Sequence, residues 1–340
     1  GYETYHHGKR GNTALRIQEK FDHNKYLNDD ASRTSGEPGK EIADDAIEFL
    51  RKRNASKPYF MYLAFSGPHD PRVAAKRYMD LYQRDRIPLP RNYAPLHPFD
   101  NGEQLVRDEL LADFPRSEAE VRKHLHDYWA VMTALDGHIG RILEHVDLAN
   151  TLIVYSADHG LALGSHGLMG KQSLYDAAMK PPLIFSGPGI PRNKRVDALA
   201  YLLDIFPTVV DLAGATPPSG LDGKSLRPVL EGRAKAVRDT LFLSYRDVQR
   251  AVRDKRWKLI RYPQINRTQL FDLARDPDEI HDLSGNPRLA GRVDSLMQEL
   301  ARWQKDLGDT LPLTASNPKP AEFPVPPEDR VAAMRKALRM

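Results

Sequence analysis

The stretch Thr151-Leu-Ile-Val-Tyr-Ser-Ala-Asp-His-Gly160 decides the fold of this chain. Its first six residues form a short, mostly apolar run that reads as a strand buried in a sheet. The run stops at an aspartate, a histidine and a glycine. In open α/β sheets ligands bind beyond the carboxyl ends of the strands, so Asp158 and His159 stand where side chains converge. Working outward, Tyr59 to Phe65 repeats the pattern between Pro58 and Gly67, and a turn carrying His69 follows it. Pro182 to Phe185 is a third strand candidate, closed by Ser186-Gly-Pro-Gly189. Between these runs the spacing turns helical. Lys40–Arg53 places Ile42, Ala46, Phe49 and Leu50 on one face, and Glu118–Val146 repeats Val131, Leu135, Ile139 and Ile142. Asp204–Ala213 is a helix with Pro207 in its first turn. Strands alternating with helices predict an α/β sheet covered on both faces.

Past Pro217 the rhythm changes. Thr240–Tyr245, Gln249–Arg253, Trp257–Arg261 and Gln269–Asp272 are short strands with tight turns, as in a small antiparallel sheet, and Arg288–Leu307 is a closing helix. The expected organisation is an α/β core over residues 1–216, a small subdomain over 217–310 and a Pro-rich tail over 311–340. The Pro-rich text from Asp85 to Pro115 is too long for a connector and reads as a functional loop or lid.

Composition narrows the chemistry. The 340 residues carry 50 Lys+Arg against 46 Asp+Glu, and the net charge of +4 gives no nucleic-acid or membrane footprint. No apolar run is long enough to span a bilayer. The absence of Cys excludes disulfides, thiolate-bound metals and a cysteine nucleophile.

Asp158 and His159 together suit a metal, one as a hard oxygen ligand and the other as a nitrogen ligand. An aspartate that caps a turn beside a packed histidine is the alternative. The following Leu163-Gly-Ser-His166-Gly-Leu-Met-Gly-Lys171 is a Gly-rich loop on which the lysine can hold an anionic oxygen. Two strand ends offering His69, Asp158, His159 and Lys171 favour an anion-plus-metal site.

These residues lie within a wider pattern. Gly1-Tyr-Glu-Thr…Gly8-Lys9, Ser66-Gly-Pro-His69-Asp-Pro, Ser156-Ala-Asp158-His159-Gly, Leu203-Asp-Ile-Phe-Pro-Thr and Trp257-Lys-Leu-Ile…Leu270-Phe-Asp occur in that order. In this arrangement the chain resembles the type I sulfatases of the alkaline-phosphatase superfamily from Gly1 to about Leu283. The resemblance implies an alkaline-phosphatase-like sheet with helices on both faces and a small C-terminal antiparallel sheet plus helix. It implies sulfate-ester hydrolysis, with Asp158 and His159 as one pair of ligands to a divalent cation. That cation is usually Ca2+, with Mn2+ or another left open by the imidazole. By the same resemblance Lys171 contacts the sulfate, Lys9 supports the nucleophile and the sulfate, and His69 contacts the sulfate or the leaving oxygen. His166 is grouped with them as substrate-binding. The loop Leu89…Arg107 is similar to a segment of sulfatases acting on sulfated carbohydrates, which would bring His97 and Arg107 over the substrate. A packed turn at His97 and a helix start at Arg107 is the alternative.

The chain departs from the family pattern in three respects. No Ser or Cys stands in a C/S-x-P-x-R motif, the source of the formylglycine nucleophile. Asp29-Asp30 and Asp44-Asp45 read as surface carboxylates, not as the family's first aspartate pair. Lys9-Arg-Gly-Asn12 lacks the histidine two places after the lysine, a role left to His6, His7 or Asn12. The chain opens on Gly1, and the nucleophile is expected upstream of it, with these 340 residues alone inactive and either poorly soluble or marginally stable. The resemblance favours a periplasmic or secreted protein. A phosphodiester or phosphonate hydrolase of the same superfamily, and a non-catalytic remnant, are the rival readings.

Overall fold

A computed structural model describes residues 1–11 and 15–338. The chain divides into two compact units, residues 1–88 with 119–151, and residues 89–118 with 152–340. The division expected at 216/217 is one of topology and runs inside the second unit.

The first unit is built on three parallel strands in the order β2 (His23–Tyr26), β1 (Glu3–Gly8), β3 (Tyr59–Ala64). β1 is the central strand, and its last four residues are buried. Alternation along it sends Tyr5 to one face, where it packs with Ala43, Ala46, Ile47 and Phe49 of the Lys40–Lys52 helix and Ile142 of the Glu118–Leu143 helix. His6 points to the opposite face, among Phe21, Tyr26 and Tyr62. The helix over Lys40–Lys52 forms as its apolar spacing predicts. The expected burial of the Tyr59 strand is corrected: β3 forms, yet Phe60 is 43% and Tyr62 50% exposed.

The second unit holds β4 (Ile153–Ser156) and β5 (Leu183–Ser186), paired antiparallel, and a four-stranded antiparallel sheet in the order β6 (Leu241–Tyr245), β7 (Gln249–Arg253), β8 (Trp257–Tyr262), β9 (Arg267–Asp272). Period-two alternation gives the four-stranded sheet two apolar faces. Val252, Trp257, Leu259 and Leu270 pack on Leu296 and Leu300 of the Ala290–Leu307 helix. Ala251, Ile260, Tyr262 and Phe271 pack instead on Phe99, Ala162, Leu168, Leu174 and Tyr175. Fully burying a leucine such as Leu259 or Leu270 contributes about 1.5–3 kcal/mol. The sheet is therefore a platform on which the Gly-rich loop after β4 rests.

No described helix is long and apolar enough to cross a membrane. The tail ends in a helix, Glu328–Ala337, beyond its extended Pro-rich part.

Candidate functional site

The sequence-predicted residues divide between the units: Lys9 and His69 lie in the first, and His97, Arg107, Asp158, His159, His166 and Lys171 in the second.

In the first unit the turn after β3 presents His69. Its Nδ1 donates to the Asp70 carbonyl at 2.7 Å, which leaves Nε2 as the open ring position. Arg33 Nη1 approaches the same ring to 3.4 Å. Partial burial lowers the pKa of His69; Asp70 opposes this, and the charges of Lys9 and Arg33 reinforce it. The imidazole is therefore neutral at pH 7, with two cations acting on it. Arg33 was not singled out from the sequence. It is anchored by Asp30 at 2.7 Å and its side chain is 12% exposed, with a buried Nε that has no hydrogen-bond partner. Its only sequence signal was the acidic pair one helical turn earlier. That pair also needs correcting: Asp30 is exposed, but Asp29 is half-buried with an unpaired Oδ1. The histidines considered as replacements for the missing one are accounted for elsewhere. His6 is fully buried, with Nδ1 2.7 Å from Asn24 Oδ1, and His7 is fully buried against the Lys40–Lys52 helix. Asn12 lies outside the described residues.

In the second unit β4 delivers Asp158 and His159. Asp158 Oδ1 accepts from the His159 backbone N–H at 3.0 Å, and Oδ2 lies 3.3 Å from His159 Nε2. The His159 ring is tied back by Nδ1 to the Gly160 carbonyl at 2.9 Å. The Asp158 side chain is 83% exposed. One carboxylate and one imidazole fit part of a divalent cation's shell. Calcium takes roughly six to eight oxygens, so further ligands must complete it. Gly160 follows because a Cβ there would stand 2.0 Å from the Ala177 carbonyl oxygen.

The Gly-rich loop is held from outside. Gly167 adopts φ +75°, and a Cβ on it would meet the Leu96 carbonyl carbon at 2.2 Å. Glu109, 2% exposed, accepts from the N–H groups of Met169 (2.9 Å) and Gly170 (2.8 Å) and pairs with buried Arg116 at 2.9 Å. Burial raises the Glu109 pKa; Arg116 and the two N–H donors oppose the shift. Asp108 next to it stands 3.7 Å from Lys171 Nζ and accepts from Gln172 at 2.8 Å and Arg107 at 3.1 Å. Burial pushes the Asp108 pKa up, but Gln172, Lys171 and Arg107 outweigh it and leave it lowered. Lys171, Asp108 and Arg107 are thus brought together. The run Arg107-Asp-Glu was noticed in the sequence for its arginine, yet its two acids hold the loop.

Two expectations are corrected here. His97 does not face a substrate: it is 4% exposed, with Nδ1 donating to the Phe99 carbonyl at 2.6 Å and Nε2 2.9 Å from the Tyr175 hydroxyl. Burial brings its pKa down to about 4. His166 stacks on Tyr175 at 3.8 Å, with Nε2 3.0 Å from Asn92, and its pKa falls to about 3 through burial and the neighbouring His97 and Lys258. Both rings pack on Tyr175, His97 from beneath the loop and His166 from the loop itself. The expected lid is likewise fastened down, with Phe99, Asn101, Gln104, Glu109 and Arg116 all buried. Past Tyr175, fully buried Lys258 bonds Asp176 at 2.9 Å and Glu279 at 2.7 Å, anchoring the far end of the loop.

At the end of β4 a carboxylate and an imidazole are thus followed by a clamped glycine loop that bears a lysine. The sulfatase family profile matches residues 1–215, and that of the N-sulphoglucosamine sulphohydrolase C-terminal region matches residues 164–306. The chain belongs to the sulfatase family. It is 28% identical to the N-acetylglucosamine-6-O-sulfatase of Bacteroides thetaiotaomicron over 80% of its length and 62% of that protein. It is 30% identical to the choline-sulfatase of Rhizobium meliloti over 74% of its length and 52% of that protein. The chain thus spans little more than half the length of these curated relatives. A structure solved with its substrate D-glucosamine-2-N,6-O-disulfate superposes with TM-score 0.74 at 25% identity, covering 92% of this chain and 81% of the other. The fold is also shared with the phosphonate monoester hydrolase of Agrobacterium radiobacter, at TM-score 0.73 and 20% identity over 90% and 78% of the two chains.

Proposed function

We propose that this protein hydrolyses sulfate esters of a sulfated amino-sugar saccharide, using a nucleophile supplied from outside these 340 residues. The observation that carries this reading is Lys171. It is an ammonium on a glycine loop whose backbone is fixed by Glu109, set 3.7 Å from Asp108 and following directly on Asp158 and His159. An ester sulfate carries its negative charge on nonbridging oxygens, and a prepositioned cation stabilises that charge without reorganisation. A divalent cation held by Asp158 and His159 would add charge neutralisation at a sulfate oxygen. The part of His69, which lies in the first unit, rests on the family resemblance alone; its Nδ1 donates to the Asp70 carbonyl, which leaves Nε2 for proton exchange at a leaving oxygen. The sugar class rests on the amino-sugar sulfate named for two of the similar proteins. The formylglycine is a proposal of family membership alone, because the chain has no Cys and no serine in the required motif.

The test is calorimetric titration of the chain, with Ca2+ present, by glucosamine-6-sulfate and by glucosamine-6-phosphate, for wild type and Lys171→Met. Saturable binding of the sulfate that weakens at least about tenfold in the variant supports the reading. Equal binding by wild type and variant would overturn it. In a second arm, the chain extended by its upstream coding sequence is assayed for release of sulfate and of phosphonate from esters of one phenol. Faster phosphonate cleavage would transfer the function to phosphonate hydrolysis.

A further inference from the structure

Asp45, read from the sequence with Asp44 as a surface carboxylate, is 28% exposed and faces a buried histidine. Glu41 and Asp45 are four residues apart, so both face the same side of the helix. That side covers β1 at His7, whose side chain is fully buried. Asp45 Oδ2 lies 3.2 Å from His7 Nδ1, and Glu41 Oε1 lies 3.9 Å from Nε2. Neither contact has hydrogen-bond geometry, so both ring nitrogens are buried without a hydrogen-bond partner. Leaving such groups unsatisfied costs on the order of 1–3 kcal/mol each. One ligand atom from each of His7, Glu41 and Asp45 lies within 4.8 Å of the other two.

One imidazole nitrogen and two carboxylate oxygens form a donor set for a borderline divalent cation. The region already attracts positive charge: Lys25 contacts Asp45, and its Nζ stands 3.6 Å from Glu41 Oε1. Lys25 projects from an outer strand of the sheet and is 52% exposed, so its ammonium can return to water. Glu41 and Asp45, at 45% and 28% exposure, leave a way in for an ion. Tetrahedral zinc ligands stand roughly 3.3 Å apart, so the three side chains must close modestly, and Glu41 is the freest to move. Burial lowers the pKa of His7, and although Asp45 opposes this the net keeps its ring in the neutral, metal-binding form at pH 7.

We propose that His7, Glu41 and Asp45 form a divalent-metal site, separate from Asp158 and His159, that takes Zn2+ in exchange for the Lys25 ammonium. The bound ion would tie β1 to the Lys40–Lys52 helix two residues before Lys9. Water would fill its fourth position. The site does not depend on the sulfatase chemistry, because none of its three donors is among the residues given a part in that chemistry.

The test uses the full chain carrying Asp158→Asn, which silences the strand-end carboxylate. Zn2+ is titrated calorimetrically, and Co2+ is followed by the visible absorption of a tetrahedral ion. One equivalent should bind with that spectrum. Asp45→Asn should weaken binding at least about tenfold, the loss of a ligand exceeding that of a supporting residue. Lys25→Gln removes only an exposed side chain and should tighten binding by about tenfold, because a competing charge is gone. Saturable binding that Asp45→Asn leaves unchanged would overturn the proposal, as would absence of one-to-one binding in both the parent and Lys25→Gln.

Discussion

The Gly-rich loop and the strand end that precedes it are neighbours in sequence but opposites in construction. Lys171 sits on backbone that Glu109 holds through two N–H groups, with Asp108, Gln172 and Arg107 arranged around it. Asp158 is 83% exposed, and its carboxylate turns back on the residue beside it. The fold itself fixes the lysine-bearing half of the proposed centre. The half proposed to hold a cation is left as an open carboxylate and a tethered imidazole. Preorganisation follows burial: a fixed ammonium needs satisfied neighbours in a low-dielectric setting, whereas a cation ligand must stay reachable.

The largest expected effect tests the clamp. Glu109→Ala removes the buried carboxylate that pairs with Arg116 and deprives the Met169 and Gly170 N–H groups of their acceptor, and should cost about 3–5 kcal/mol in denaturant unfolding. Glu109→Gln keeps one acceptor and should cost less. Equal stability of all three proteins would remove the contrast between the two regions. Next comes acid. His97, with a folded pKa of about 4, and His166, at about 3, lie below the ordinary 6.5. Between these values the unfolded chain binds more protons than the folded one, so stability is full above pH 6.5 and is lost as pH falls towards 4. A shift of the size seen at His97 is worth on the order of 3 kcal/mol. Thermal midpoints from pH 7 to 4 should fall, and His97→Gln should flatten that slope if burial of the ring is the cause.

Smaller effects come from two less buried carboxylates. Asp309 is held at a pKa of about 2, chiefly by its hydrogen bond from Arg250. That stabilisation is present above pH 4 and fades towards pH 2, so Asp309→Asn should leave stability less sensitive to acid across that window. Asp158→Asn should change unfolding stability by no more than about 0.5 kcal/mol, while removing the stabilisation that added Ca2+ gives the parent. A large loss of stability without added cation would mean that the strand end is as structural as the loop.

The sequence disclosed the parts of this architecture that rest on local pattern. The helix from Lys40, the long helix from Glu118 and strands β7 to β9 announced themselves by period, because each buries one face and pattern records burial. β1 did not: its central residues are His6 and His7, and polar residues give no hydrophobic signal even when fully buried. Arg33 and Glu109 escaped for a related reason. A charged residue in a single sequence looks solvated until the fold supplies its partners, and these include His69, 36 residues from Arg33, and the Gly170 N–H, 61 residues from Glu109. His97 shows the reverse. Its setting among prolines suggested a loop over a substrate, and packing against Phe99 and Tyr175 made it core.

By itself the sequence determined the family, the order of the elements and the residue types available for chemistry. Their spacing along the chain is a local property, fixed by which side chains a strand end or a glycine loop can carry. Only the tertiary structure decided which of those residues are exposed, which are neutral and which are held. Burial and long-range hydrogen bonding set those properties, and both depend on partners that lie far apart in the chain.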